Sequence, residues 1–79
     1  MNSTQSSIDA QKRKKLLGLQ KEYLEKTVSK LDAMIELSQE LEKLDDPELI
    51  KAYCDKIDSL DAEVSQDYLI AVNIEGMLQ

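Results

Sequence analysis

The chain contains one proline, Pro47, and it lies where two heptad-patterned stretches meet. Nothing else in the sequence limits the fold so tightly. Between residues 8 and 44, Leu17, Leu24, Leu31 and Ser38 recur every seven residues. Val28 and Ile35 fall four residues after Leu24 and Leu31. Alternating steps of four and three are the spacing of a coiled-coil seam along one helix. A second row, Tyr23, Thr27, Met34, Leu37, Leu41 and Leu44, runs beside the first. After the proline, Ile50, Ile57, Val64, Ala71 and Leu78 repeat every seven residues. Tyr53, Leu60 and Ile74 fill the alternate positions, and Asp67 interrupts them.

The join reads "LDDPEL". Asp45 or Asp46 can accept a hydrogen bond from the free amides of a helix start, and Pro47 suits the first turn, where no donor is needed. Asp45 and Glu48 have capping-box spacing. One helix therefore ends near Leu44 and another begins at Pro47. A connection this short makes the two helices antiparallel neighbours. The expected fold class is all-α: an antiparallel two-helix, coiled-coil-like hairpin. Its helices cover about residues 8–44 and 47–76, joined by a turn at 45–46, in one domain over 8–79. Residues 1–7 are expected to be a flexible N-terminus, with Ser6 or Ser7 capping the first helix. Gly76 is the expected C-terminal cap. Gly18 is a weak point inside the first helix, where glycine costs about 1 kcal/mol relative to alanine.

Folding the chain at Asp45 pairs residues whose numbers sum to about 90. That register sets Met34 against Ile57, Leu31 against Leu60 and Val28 against Val64. It also brings Lys21 within reach of Asp67, which accounts for an acid on the seam.

The stretch "YLIAVNI", Tyr68 to Ile74, is apolar at six positions of seven. Two helices cover only one stripe of each other, so this excess needs a further partner. Its β-branched residues leave a strand as the alternative for this segment. The seven-residue repeat running through it points to helix. Below about 80 residues a single core rarely supplies more than ~3–5 kcal/mol. The hairpin is therefore expected to be completed to a helical bundle by self-association or by another protein. Leu16, Leu19, Tyr23, Leu69 and Val72 are the expected partner-facing residues at the open end, with Leu37, Leu41 and Leu49 near the turn.

Other chemistry finds little support. With no His, the chain lacks the commonest general base and zinc ligand. Cys54 is the single cysteine. It has no internal disulfide partner, and with no signal peptide expected, it suggests a reducing, cytoplasmic setting. Tyr53 beside it reads as packing at the core edge, and Cys54 as a small apolar filler. Asp55, Asp58, Asp61 and Glu63 lack a calcium-loop pattern and read as a solvated ridge. No metal and no cofactor are expected, no membrane span is present, and the chain is not expected to be an enzyme. The net charge of −6 argues against duplex nucleic acid. Residues 1–44 nevertheless carry eight bases against seven acids, while 45–79 carry two against nine. The basic run Lys12, Arg13, Lys14 and Lys15, with Lys21, leaves a nucleic-acid-binding dimer as the alternative function.

"LSQELEKL" (Leu37 to Leu44) followed by "DDPELI" (Asp45 to Ile50) resembles the small aspartyl-phosphate phosphatases of spore-forming bacteria, which are helical hairpins with a DPE-type turn. Their Ser-Gln-x-x-Asp signature follows the turn. Here Ser38-Gln39 precede it, and Tyr53 to Asp58 lack the pair, so the activity is not carried over. In plan the chain is similar to two other groups. One is the small acidic hairpin co-chaperones of bacterial secretion systems. The other is the RNA-binding hairpin dimers that control plasmid copy number. The reading from the residues is a non-catalytic, acidic, cytoplasmic protein-binding module: an adaptor, a secretion-type co-chaperone or a regulator acting through apolar helix faces.

Overall fold

The computed structural model describes residues 3–79, with side chains from Ile8 onward. It is an all-α hairpin of two helices packed along each other, α1 (Ser3–Leu41) and α2 (Pro47–Leu78). α1 passes through Gly18 without interruption, and a methyl group placed there would meet nothing within 4 Å. Ser6 and Ser7 fall within the helical backbone, and their side chains lie outside the described residues. "YLIAVNI" is helix, so the strand alternative is excluded. α2 also continues through Gly76 to Leu78, with Gln79 as its cap, and no glycine has a positive φ. The expected glycine cap is thus corrected: the helix needs no left-handed residue to stop.

The turn is closed by short-range hydrogen bonds. The amides of Lys43 and Leu44 donate to the carbonyls of Glu40 and Leu41 at 3.0 and 3.2 Å, tightening the end of α1. Asp46 is the N-cap of α2: its extended backbone lets Oδ1 accept from the Glu48 amide at 2.9 Å. The reciprocal box between Asp45 and Glu48 does not fit this arrangement, because the cap lies one residue later.

The row facing α2 is the second one. Leu16, Gln20, Tyr23, Lys30, Met34, Leu37, Leu41 and Leu44 are half-buried and Thr27 is buried. The facing row of α2 is the expected one, and Leu60, Ala71 and Ile74 are its buried members. Leu17, Leu24, Val28, Leu31 and Ile35, expected on the seam, are exposed instead. The reason lies at the turn. A seam must reach the point where the chain reverses. Only the row ending in Leu37, Leu41 and Leu44 stays apolar that far, whereas the other row ends in Ser38.

The register differs in the same way. Lys30 Nζ lies 2.6 Å from Asp67 Oδ2 and 3.3 Å from Glu63 Oε1. Gln20 Nε2 donates to Glu75 Oε2 at 2.8 Å, and the Tyr53 hydroxyl donates to Glu40 Oε2 at 2.9 Å. Facing numbers therefore sum to roughly 95 rather than 90, a slip of about one helical turn. Lys21, expected to meet Asp67, pairs within α1 with Glu25 at 3.8 Å.

The hairpin is a rod of 67 × 15 × 13 Å with a radius of gyration of 19.0 Å. A globular domain of this length has a radius near ~12 Å. The rod has a seam but no centre, and among the described residues no side chain is less than 2 % exposed.

Candidate interaction surface

α1 carries two apolar rows and has one helix to cover them. With Thr27 and Met34 at the inward heptad positions, Leu17, Leu24, Val28, Leu31 and Ile35 fall on one adjoining flank. They are between 40 and 57 % exposed. This flank keeps the four–three spacing, so a second helix can pack along it by the same knobs-into-holes geometry that α2 uses on the first row. Leu17, Leu24 and Val28 line a shallow groove of about 640 Å³. Gln20, Lys21, Glu25, Ser29 and Asp32 complete its lining.

The apolar surface crosses to α2. A second groove is formed by Gln20 and Leu24 of α1 with Tyr68, Ala71, Val72 and Glu75 of α2. Tyr68 is 55 % exposed and Val72 47 %. In an antiparallel pair the flank of α1 that carries Leu24 lies beside the flank of α2 that carries Tyr68, which is why the two grooves share residues. The result is one continuous apolar face from Ile35 to Val72. Soluble monomers rarely leave large contiguous apolar patches open, and such patches mark contact sites.

The partner-facing residues named from the sequence divide into two sets. Leu19, Leu49, Leu69 and Val72 are exposed. Leu16, Tyr23, Leu37 and Leu41 are half-buried on the row facing α2, so their apolar surface is spent inside the hairpin. Leu19 lies on the flank opposite the stripe, and Leu69 points away from the seam. Val72 alone joins the continuous face. The residues that make most of that face are those whose four–three spacing predicts a seam. Two signals in the sequence separate the rows: the apolar run into the turn, and Lys30 as the base that fits Asp67.

The basic run is helical and exposed. Lys12 and Arg13 line a small groove with Asp9, Leu16, Met77 and Leu78, where α1 passes the end of α2. Lys14, Lys15 and Lys21 are exposed on other sides of α1, so the run is spread around the helix rather than gathered on one face. Cys54 is exposed, not a filler. Tyr53 is half-buried, and its hydroxyl pKa is raised because it donates to the Glu40 carboxylate. Among the described residues no three His, Cys, Asp or Glu side chains come together to hold a metal ion. Likewise no helix is long and apolar enough to cross a membrane.

Lys30 is the strongest electrostatic feature. Its hydrogen bond to Asp67 raises its pKa, desolvation opposes this, and Glu63 adds to the rise. The Asp67 side chain is only 13 % exposed. The cluster joins the two helices, and its chemistry is that of a register pin: an unpaired seam acid is costly, so Asp67 selects the register that supplies a base.

No protein-family model matches the chain, and no curated protein or solved structure is significantly similar to it.

Proposed function

We propose that this chain is a non-catalytic protein–protein interaction module, a small adaptor, co-chaperone or regulator acting in the cytoplasm through apolar helix faces. One observation carries the reading: the stripe Leu17, Leu24, Val28, Leu31 and Ile35 has coiled-coil spacing and lies outside the hairpin seam. A row that only decorated a solvated helix would have no reason to keep a heptad register. The proposed ligand is therefore a helix presenting a matching row, docked lengthwise.

A photo-crosslinking residue placed at Val28 tests this in cells, with one at Gln66, an exposed residue on the far side of α2, as control. The expected result is a covalent protein adduct, with a second copy or another chain, from position 28 and none from position 66. Equal or absent labelling at both positions overturns the proposal.

A further inference from the structure

We infer that the occupant of the outer face, the apolar surface from Ile35 to Val72, is an amphipathic helix of another protein that carries lysine or arginine beside its apolar row. This rests on the protein-interaction reading above and deepens it by giving the partner's charge.

The border of the stripe carries the inference. Asp32 lines the groove with Leu24 and Val28. Glu42 follows Ile35 by seven residues and so continues its row toward the turn. On α2, Asp61 precedes Tyr68 by seven residues and Asp58 precedes Val72 by fourteen, which puts both acids on the flank that carries those two side chains. All four acids are exposed. Lys51, seven residues before Asp58, is the one base on this half of the face. The half toward the open end is balanced: Lys14 and Lys21 accompany Glu25 and Glu75. There Lys21 pairs with Glu25 at 3.8 Å, and Glu75 accepts from Gln20 at 2.8 Å.

The acids toward the turn are spare. Among the described residues Asp32, Glu42, Asp58 and Asp61 form no ion pair. On the other edge of the hairpin the acids are already taken: Glu63 by Lys30, and Glu40 by the Tyr53 hydroxyl. One edge is thus closed by polar contacts between the helices, while the edge with the stripe offers apolar side chains bordered by free carboxylates.

This pattern chooses among occupants. A second copy laid stripe on stripe in parallel sets acid on acid. Laid antiparallel, it sets the acidic half over the balanced half and supplies no surplus of base. A neutral helix gains the apolar contact alone. A helix with bases beside its row over the turn half gains both, and like charge repels acidic competitors. Leu17 to Ile35 covers about 27 Å, so the docked segment is about five turns long.

Three synthetic helices of about five turns test this on the full chain by fluorescence anisotropy. The first has leucine at a and d and lysine at e and g. The second has glutamate for lysine, and the third keeps the lysines but has glutamine for leucine. The first should bind at least about tenfold tighter than the other two, and its affinity should fall with salt. Val28→Glu with Ile35→Glu removes apolar contacts and adds acid. It should abolish binding of the first helix, whereas attraction by charge alone would grow stronger. Asp32→Asn, Asp58→Asn and Asp61→Asn together should weaken the first helix about tenfold. Equal binding of the first two helices overturns the basic partner and keeps the broader reading. Equal binding of the first and third reduces the effect to charge and overturns the inference. A free chain that is a dimer closed to the first helix overturns it in favour of a second copy. If no helix binds, the inference also fails. Photo-crosslinking at position 28 then decides the broader reading, which an adduct keeps and no adduct removes. Should a variant lose its helical circular dichroism, the three helices on the wild-type chain decide alone.

Discussion

Lys30 shows what a single residue contributes here. It is a base placed in a seam, between Asp67 and Glu63 of the facing helix. Its pKa is raised, as is that of the Tyr53 hydroxyl that donates to Glu40. A group whose folded pKa lies above its unfolded one stabilises the fold fully below the unfolded value. That stabilisation is lost as pH rises through the folded value. The two groups start from 10.5 and 10.0, so both act in the same alkaline window. Thermal unfolding followed by circular dichroism should show a melting temperature that falls above about pH 10. Lys30→Met should melt lower at neutral pH, because it leaves Asp67 unpaired, and should show a weaker alkaline fall. A flat profile for the wild-type chain between pH 9 and 11 would remove the cluster from any role in stability. Thr27 shows the opposite economy. Its hydroxyl donates to the Tyr23 carbonyl at 2.9 Å, one turn back, so a polar group is buried without a partner from α2.

At the scale of the element, α1 is the more informative helix because it carries two apolar rows. Gly18 is exposed on the solvent side of this helix, and it leaves backbone open without serving a close approach. Gly18→Ala should stabilise the chain by about 0.5–1 kcal/mol in urea titrations and leave the mass unchanged. A loss of stability would show that the position needs glycine for a contact the free hairpin does not make. The existence of both helices, the break at Pro47 and the inward row of α2 were legible in the sequence, because heptad spacing and an N-cap are local signals. The choice between the two rows of α1 was not legible from spacing alone. Both repeat every seven residues, and a one-position rotation of the helix exchanges them. What separates them is long-range: the demand of Asp67 for a base, and the need for apolar residues up to the turn. Spacing alone therefore predicts Leu16, Tyr23, Leu37 and Leu41 outward and Leu24, Val28 and Leu31 inward, the reverse of their places in the hairpin. The register slip has the same origin, since Lys21 and Lys30 both offer an amine and only the packed pair shows which one is used.

At the scale of the molecule the shape dominates. A rod 67 Å long and about two helices wide cannot bury a side chain on all sides, and among the described residues the buried apolar ones are only Leu60, Ala71 and Ile74. A partner docked on the outer face, as proposed, would bury what the rod cannot and so link stability to association. Small-angle scattering on the Val28→Glu, Ile35→Glu variant should give the isolated rod, with a radius of gyration near 19.0 Å. A value near ~12 Å would mean that the free chain collapses into a globule instead.

The tight turn at Asp46 has a consequence for the order of events in time. Only a few residues separate the ends of the two helices, so closing that loop takes little entropy. Contacts next to the turn, such as Tyr53 with Glu40, are then the first tertiary contacts within reach. Zipping proceeds outward from there, through Lys30 and Asp67, to Gln20 and Glu75 at the far end. Tyr68, Val72 and Leu24 come level with one another only in that last stage. A newly made chain therefore has the α1 stripe in place as soon as that helix forms, and adds the α2 share of the face last.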